Sequence, residues 1–332
     1  MPSRHRIQLG RASMPQSPER FIPVFDHSDR PNAGRMPEWI RLNLDADPRY
    51  ADTARAVHDQ GLNTVCEEAR CPNRGECWAR GTATFMLLGE TCTRACGFCS
   101  VQTGRPDWFD NDEPRRVAEA ATAMGLDYIV LTSVNRDDMA DGGAGIFAET
   151  LREVRRRDAR MGVEFLTPDF QQDMDGAVAA IAAATAEFPL AESEPADLVW
   201  GHNVETVPSL YREVRKGSRY ERSLELLERA SALPRVEAKS ALMLGMGETA
   251  DEVAEVLRDL RGAGVERIAL GQYLRPTRYH LPVKEYVTPE QFDDYAAIAR
   301  DLGFGWVKAG PLVRSSYHAE ERQDHAMKGV SA

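Results

Sequence analysis

From residue 83 onward, the chain alternates short apolar runs with longer stretches in which apolar residues recur at helical spacing. The apolar runs predict six strands: Phe85–Leu88, Tyr128–Leu131, Val163–Leu166, Leu198–Trp200 continuing to Val204, Ala241–Leu244 and Ile268–Leu270. The stretches between them predict helices near 113–124, 144–157, 172–186, 221–230, 250–263 and 288–301. A last short strand is predicted around Trp306-Val307.

Short buried strands that alternate with helices indicate a parallel sheet with right-handed crossovers. Six units are two short of a complete (β/α)8 barrel. We therefore predict an α/β fold, a partial (β/α)6 TIM-type barrel with N-terminal and C-terminal extensions. A doubly wound sheet is the alternative. In both folds, ligands meet the loops at the C-terminal ends of the strands.

The same pattern divides the chain into four segments. Residues 1–36 are rich in Pro, Arg, Ser and His, show no periodicity and predict a disordered extension. Residues 37–82 form an N-terminal segment that carries three cysteines and a predicted helix at 49–61; 83–303 is the barrel, and 304–332 is a C-terminal extension. The Ala- and Glu-rich stretch 182–195 is interpreted as a surface insertion.

Charge and hydropathy exclude some classes of protein. The net charge is −11, from 52 acids and 41 bases, which argues against general binding to nucleic acid or to a membrane surface. No stretch approaches the ~20 apolar residues of a membrane helix. The first 20 residues contain four Arg and one acid, which leaves a mitochondrial or plastid transit peptide open, but their prolines make a cytoplasmic protein the main prediction.

Six cysteines lie between Cys66 and Cys99, and the rest of the chain has none. Because the chain is long and has no secretory signal, reduced thiols that ligate metal are favoured over disulfides. Cys92, Cys96 and Cys99 have the spacing C-x3-C-x2-C directly after the first predicted strand. Such a spacing could also be the buried stripe of a helix, but the Thr and Gly residues around these cysteines favour a loop.

Three thiolates can bind three irons of a [4Fe–4S] cluster and leave the fourth open, whereas a structural zinc site needs four ligands. With Phe98 before the last cysteine, this motif resembles that of the radical SAM superfamily. The resemblance implies that the open iron binds the amino and carboxylate groups of S-adenosyl-L-methionine (SAM). Reductive cleavage of SAM then gives methionine and a 5′-deoxyadenosyl radical.

The second triplet, Cys66, Cys71 and Cys77, has the spacing C-x4-C-x5-C. A zinc site with a distant fourth ligand, or a disulfide plus a free thiol, are the alternatives. Together with Asn63-Thr64-Val65 before it and Pro72-Asn73 within it, this triplet resembles the auxiliary-cluster motif of the lipoyl synthase family. The resemblance extends from about Pro37 to Ala319, with departures at Asn135, Gly201 and Gln171-Gln172.

The lipoyl synthase resemblance also implies a fourth, oxygen ligand for this auxiliary [4Fe–4S] cluster, within residues 310–319. Ser315 and Ser316 are the candidates there. Neighbouring side chains of an extended segment point in opposite directions, so we predict a single ligand and favour Ser316. Serine binds soft iron–sulfur sites poorly, which suits a cluster that is dismantled during the reaction.

The resemblance implies sulfur insertion at C6 and C8 of an octanoyl group attached to a lysine of a lipoyl carrier domain. The auxiliary cluster supplies the sulfur, and no catalytic side chain is implied beyond the cluster ligands. The implied partners are octanoylated lipoyl domains or the glycine-cleavage H protein, reduced ferredoxin or flavodoxin as electron donor, and an iron–sulfur carrier for cluster repair.

Polar residues near the predicted strand ends are candidate SAM contacts, namely Ser133, Asn135, Asn203 and Glu205. The segment Gly245-Met246-Gly247-Glu248 resembles the ribose or adenine loop of radical SAM barrels, although a strand-to-helix turn is the alternative. His202 is interpreted as a hydrogen-bonded structural residue rather than as a general base.

Three other functions remain open at this point. One is another two-cluster radical SAM enzyme that inserts sulfur, such as a methylthiotransferase, although no basic RNA-binding module is evident. An electron-transfer protein would need four thiolates for each cluster. A zinc-binding interaction module is the third.

Overall fold

The computed structural model describes residues 36–40, 62–65, 73, 77, 84–191, 196–317, 319 and 321. Cys66, Cys71 and the predicted helix at 49–61 lie outside the described residues. So does the predicted N-terminal extension, apart from residue 36.

The described chain forms a strand–helix alternation. Its strands are β1 (Asn63–Thr64), β2 (Thr84–Leu87), β3 (Thr91–Cys92), β4 (Gln102–Thr103), β5 (Tyr128–Ser133), β6 (Gly162–Leu166), β7 (Leu198–Gly201), β8 (Val236–Leu244), β9 (Val265–Gln272) and β10 (Trp306–Gly310). Its helices are α1 (Glu113–Ala123), α2 (Ala144–Arg157), α3 (Met174–Glu187), α4 (Tyr211–Val214), α5 (Tyr220–Ser231), α6 (Ala250–Gly262) and α7 (Pro289–Asp301), with a 3₁₀ turn at Pro208–Leu210.

The strand order identifies the architecture. The main sheet has the order β1-β2-β5-β6-β7-β8-β9-β10, and every pair from β2 to β10 is parallel. Each strand from β2 to β9 therefore lies beside the next main-sheet strand along the chain. A doubly wound sheet would reverse its order at a switch point, and this sheet does not. The predicted partial (β/α)6 barrel is confirmed, and the doubly wound alternative is wrong.

Two further strands extend this six-strand core. The predicted last strand is confirmed as β10, which pairs with β9. At the opposite edge, the sequence pattern missed β1, which pairs antiparallel with β2 through Asn63 and Thr64. The segments on either side of the barrel therefore each contribute an edge strand, and β1 leads directly to the second cysteine triplet.

The helices follow their predicted bounds closely, because their apolar faces meet the sheet. In α6, the buried face consists of Val253, Val256, Leu257 and Leu260, spaced three or four residues apart. Capping boxes at Thr249 and Thr288 fix the starts of α6 and α7. No described helix is long and apolar enough to cross a membrane.

Two sequence predictions about the connections need correction. The stretch 182–195 is not simply a surface insertion, because α3 continues to Glu187 and Ala184 is fully buried in the core. Residues 208–214 form a 3₁₀ turn and a short helix that the periodicity did not predict. This turn and helix place Val214 and Arg215 beside the first cysteine triplet, as described below.

Candidate iron–sulfur and SAM site

The first cysteine triplet lies in a loop, residues 92–99, at the C-terminal end of β2. Leu88 and Gly89 follow this strand with φ angles of +68° and +87°. The left-handed region is uncommon for a leucine. The Leu88 N–H donates a hydrogen bond of 2.7 Å to the carboxylate of Glu113, the first residue of α1. The chain therefore turns sharply at the edge where parallel barrels bind their ligands.

The loop is irregular over most of its length, as the sequence predicted. Cys92 is the second residue of β3, which pairs with β4. Cys96 and Cys99 lie in neither a helix nor a strand. The alternative of a helical stripe is therefore wrong.

Backbone groups contact the cysteine loop from two sides. The Cys92 Sγ accepts hydrogen bonds from the N–H groups of Arg94, at 3.4 Å, and Asn135, at 3.3 Å. The Asn135 carbonyl accepts hydrogen bonds of 3.0 Å from both the backbone N–H and the hydroxyl of Thr93. Hydrogen bonds from N–H groups favour a thiolate over a thiol. Asn135 therefore contacts the cysteine loop through its main chain.

A third contact comes from the segment after β9. The imidazole of His280 lies within hydrogen-bonding distance of the Cys99 carbonyl, at 3.0 Å, and the Leu281 N–H donates to the Gly97 carbonyl at 3.1 Å. The Gly97 N–H donates to the Val214 carbonyl at 2.9 Å. A Cβ atom at Gly97 would lie 2.8 Å from Leu281 Cδ1, so this close approach requires glycine.

The three cysteines are half-buried, and their thiols lie in a partly desolvated environment. Burial raises the pKa of Cys92, and it raises the pKa of Cys96 to about 11 and of Cys99 to about 12. The positive charge of Arg215 opposes the shift at Cys96, and the neighbouring Cys96 adds to the shift at Cys99. Thiolates in such a site need cationic partners, and bound iron would supply that charge.

The candidate SAM contacts lie at the neighbouring strand ends. The Ser133 hydroxyl and the Asn203 side-chain oxygen are buried and have no hydrogen-bond partner in the part of the chain that the structure describes. The Asn203 amide donates to Glu205 at 3.2 Å. Burial raises the pKa of Glu205, and Arg215 partly offsets that rise. Unpaired buried polar atoms need a partner, so they fit a polar ligand at this end of the barrel.

The glycine-containing loop after β8 has a different arrangement. Gly245 and Gly247 have φ angles of +95° and +112°. The carboxylate of Glu248 accepts hydrogen bonds from the N–H groups of Gly245 and, at 3.0 Å, Met246. These two N–H groups are therefore occupied by a side chain of the same loop.

His202 is a structural residue, as predicted. Its ring is buried, with Nδ1 2.8 Å from the Thr167 carbonyl and Nε2 3.0 Å from the Ser223 hydroxyl. Burial lowers its pKa to about 4, and the nearby positive charge of Arg215 acts in the same direction. His202 is thus a neutral ring with both nitrogens engaged.

The C-terminal element meets the segment of the second cysteine triplet through Asn73. The buried Asn73 side chain donates a hydrogen bond of 2.7 Å to the Leu312 carbonyl, and its own carbonyl accepts one of 2.9 Å from the Cys77 N–H. One residue therefore contacts both a cysteine of this triplet and the residues just before Ser315-Ser316. Asn73 belongs to the motif that carries the resemblance, but no feature of the sequence predicts its contact with residue 312.

The prediction that Ser315 and Ser316 lie in an extended segment is wrong. The Tyr317 N–H donates to the Arg314 carbonyl at 3.0 Å, which makes Ser315 and Ser316 the central residues of a turn rather than part of an extended strand. Alternation of side chains along a strand therefore does not apply here. Both serines are half-buried, and the preference for Ser316 remains a prediction from the resemblance.

The donor set fits an iron–sulfur cluster. In the described ranges, no three His, Cys, Asp or Glu side chains are placed to ligate a single metal ion. A four-iron cluster does not require several side chains to meet at one metal ion, since each thiolate binds a different iron. Cys92, Cys96 and Cys99 are half-buried soft ligands in one loop, and the polar atoms nearby that have no hydrogen-bond partner among the described residues suit SAM.

Two buried arginines belong to the site although the sequence did not single them out. Arg94, between two of the cysteines, binds Asp137 and Asp169. Arg215 donates hydrogen bonds to the Asn203 carbonyl at 2.7 Å and to the Tyr211 hydroxyl at 3.1 Å. An arginine within a cysteine motif is a usable signal, because a buried guanidinium group needs hydrogen-bond acceptors, and carboxylates also balance its charge.

Comparison with known proteins identifies the family. The model of the radical SAM superfamily matches residues 86–260. Two relatives, both named lipoyl synthase, are those of Symbiobacterium thermophilum, 48% identical over 93% of each chain, and Rubrobacter xylanophilus, 46% identical over 98% of each chain. The solved structure of Streptococcus suis SuiB bound to precursor peptide SuiA overlaps with a TM-score of 0.48 at 12% identity, over 71% of this chain and 52% of that chain. On the superfamily model and these two relatives, the chain belongs to the lipoyl synthase family of radical SAM enzymes.

Proposed function

We propose that this enzyme inserts sulfur at C6 and C8 of octanoyl groups attached to lysine in lipoyl carrier domains, which produces the lipoyl cofactor. The observation that carries the proposal is the pairing of two sites. A half-buried three-cysteine loop lies at the C-terminal strand ends, and Asn73 connects the segment of Cys77 to Leu312, three residues before Ser315. A methylthiotransferase is disfavoured, because the named relatives match the chain over nearly its full length.

Cys92, Cys96 and Cys99 would hold the radical SAM [4Fe–4S] cluster, with one iron left open for SAM. Cys66, Cys71, Cys77 and Ser316 would hold the auxiliary [4Fe–4S] cluster. When bound, the two clusters and SAM supply hydrogen abstraction and sulfur donation, which no side chain can provide at an unactivated C–H bond.

The chain's own residues would bind and orient SAM. Ser133 and Asn203 offer buried oxygen atoms at the strand ends that have no hydrogen-bond partner among the residues the structure describes, and the Asn203 amide also donates to Glu205. Arg215 lies close enough to Cys96 and Glu205 for its charge to affect the pKa of both. The site thus presents donors, acceptors and both signs of charge, as the zwitterionic amino-acid end of SAM requires.

Burial of this site also has a chemical purpose. Water and exposed side chains would quench a reactive hydrogen-abstracting species, so the surroundings must be closed and apolar. On one side, the segment after β9 closes the cysteine loop. Tyr273, Leu281 and Val283 from this segment pack with Met246 and Val214 in a buried cluster.

The partners follow from the reaction. The substrate is an octanoylated protein domain, either a lipoyl domain or the glycine-cleavage H protein, and SAM cleavage requires a reductant, for which we propose ferredoxin or flavodoxin. An iron–sulfur carrier would rebuild the auxiliary cluster after each turnover. We propose that these reactions take place in the cytoplasm.

The decisive experiment is anaerobic incubation with SAM, dithionite and an octanoyl-lysine peptide. Mass spectrometry should detect a product with two added sulfur atoms, together with deoxyadenosine. Two variants separate the sites: Cys92→Ala should abolish SAM cleavage, whereas Cys77→Ala should still cleave SAM but insert no sulfur. Sulfur insertion by Cys77→Ala would refute the role of the second triplet as sulfur donor.

A second variant tests the oxygen ligand. Ser316→Cys should retain an auxiliary cluster, measured as about eight irons per chain, yet transfer less sulfur because thiolate holds iron more firmly than a hydroxyl. Ser315→Cys is the matched control at the neighbouring position of the same turn. Full sulfur insertion by Ser316→Cys would count against the idea that weak ligation permits dismantling.

A further inference from the structure

The side chain of Arg94 binds two acidic residues at once. Its Nε and Nη2 atoms donate to the two carboxylate oxygens of Asp137, each at 2.8 Å. Its Nη1 and Nη2 atoms donate to the two oxygens of Asp169, at 2.9 and 2.6 Å. The Ser218 hydroxyl accepts a further hydrogen bond of 3.1 Å. Only 4% of the Arg94 side chain is exposed, and the Asp169 side chain is fully buried.

These acids come from two different strands of the barrel. Asp137 follows the end of β5 by four residues, and Asp169 follows the end of β6 by three. The contact with Asp137 is reinforced by its backbone N–H, which donates to the Thr93 hydroxyl at 3.1 Å. Arg94 therefore attaches the cysteine loop to two neighbouring strand ends.

The charges of this network balance. Asp169 also accepts a hydrogen bond of 2.8 Å from Arg222, so two carboxylates face two guanidinium groups. Burial would raise the pKa of Asp169, but the hydrogen bonds and charge of Arg94 outweigh it and lower that pKa to about 2. Asp169 consequently stays ionised over the ordinary pH range and keeps its ion pair with Arg94.

The loop has no regular secondary structure over most of its length, so tertiary contacts must order it. Residues 93–101 contain no helix or strand, and fixing each backbone residue in place costs conformational entropy. Charge-assisted bidentate hydrogen bonds are the strongest polar contacts available to offset that cost. Arg94 lies between Cys92 and Cys96 in the sequence. Its contacts with Asp137 and Asp169 therefore restrain the part of the loop that determines the distance between these two thiols.

We infer that Arg94 is a positioning residue, which holds the cysteine loop in its ligand-binding arrangement before any cluster is present. The inference deepens the proposed function, because it rests on the loop as the cluster-binding site. It assigns Arg94 no contact with SAM or with the octanoyl substrate. Its role is to act on Cys92 and Cys96 through Asp137 and Asp169.

The test is thiol alkylation of the iron-free full-length chain. Arg94→Lys keeps the positive charge, so electrostatic effects on the thiols change little, but an ammonium group cannot span four carboxylate oxygens. Arg267→Lys is the matched control: Arg267 is also 4% exposed and bonded to a carboxylate, Glu237, at 2.6 Å, but it lies on β9 away from the loop. Mass spectrometry follows alkylation of Cys96 and Cys99, with Cys66, Cys71 and Cys77 as internal references.

In Arg94→Lys, we expect Cys96 and Cys99 to be alkylated about tenfold faster than in the parent chain, which corresponds to ~1.4 kcal/mol of lost loop stability. Arg267→Lys should match the parent, and the reference cysteines should be unaffected in both. In the reconstituted protein, a chelator should also remove iron faster from Arg94→Lys. Equal alkylation rates in Arg94→Lys and the parent would overturn the inference.

A milder variant covers the case in which Arg94→Lys does not fold. Asp137→Asn keeps the shape of the side chain and the contact between Arg94 and Asp169, and should accelerate alkylation by a few-fold. No acceleration in a folded Asp137→Asn chain would also overturn the inference. Because no cluster is present, this result is independent of sulfur insertion. Well-protected thiols in a parent chain that inserts no sulfur would refute the proposed function alone.

Discussion

Replacing Asn73 by alanine should loosen the C-terminal element from the segment that carries Cys77. The Asn73 side chain is 6% exposed and donates a hydrogen bond of 2.7 Å to the Leu312 carbonyl. Asn73→Ala removes this donor from a half-buried carbonyl. Such a loss costs on the order of 1–2 kcal/mol, because water can reach the carbonyl only in part.

A local destabilisation of that size raises the population of the opened C-terminal element roughly 5–30-fold. Hydrogen exchange measured by mass spectrometry should therefore be faster by this factor in peptides that cover residues 308–317. Asn73→Asp should accelerate exchange at least as much, since a carboxylate would face the carbonyl instead of an N–H donor.

Ser231→Ala provides the control for this measurement. The Ser231 hydroxyl donates a comparable hydrogen bond of 3.0 Å to the Ala263 carbonyl, far along the chain from the C-terminal element. Loss of this hydrogen bond should accelerate hydrogen exchange near residue 263 and leave exchange at residues 308–317 unchanged. Unchanged exchange at 308–317 in Asn73→Ala would refute the idea that Asn73 anchors the serine turn.

Three predictions concern buried charges of the barrel. Lys239 donates to both carboxylate oxygens of Glu164 at 2.8 Å inside the sheet, so Lys239→Met should cost about 3–5 kcal/mol in urea unfolding, and the double variant with Glu164→Leu should recover most of it. Burial lowers the pKa of His202 to about 4, so the folded state loses stability as the pH falls from about 6.5 towards 4; this part of the pH dependence should be absent in His202→Gln. Burial raises the pKa of Glu113 to about 7, so its contribution to the stability of the folded state is lost as the pH rises from about 4.5 through 7. Glu113→Gln, which retains an acceptor for the Leu88 N–H, should therefore be more stable than the parent chain at pH 8 but not at pH 4.5. For His202 and for Glu113, a free energy of unfolding that changes with pH in the same way in the parent chain and in the variant would contradict the pKa shift.

Hydrophobic periodicity predicted the barrel because each of its elements buries one apolar face. The prediction failed where charged residues are buried. It began the fifth strand at Ala241, whereas β8 begins at Val236. Glu237 and Lys239 interrupt the apolar run, yet both lie inside the fold, paired with Arg267 and Glu164. In the sequence, a charged residue of a buried ion pair resembles a loop residue, because the oppositely charged residue lies on another strand.

Cysteine spacing predicted the candidate site because the three thiols of each triplet lie in one short segment of the sequence, so the proposed chemistry is local. The anchor of the first triplet is not local: 75 residues separate Arg94 from Asp169. Its partners could nevertheless be derived in two steps once the barrel is predicted. A guanidinium group between two predicted cysteine ligands favours carboxylate partners, and a barrel with sequential strands places the ends of β5 and β6 beside the loop that follows β2. Asp137 and Asp169 are acids at those two strand ends, so strand order combined with charge balance indicates an anchor that neither periodicity nor spacing reveals.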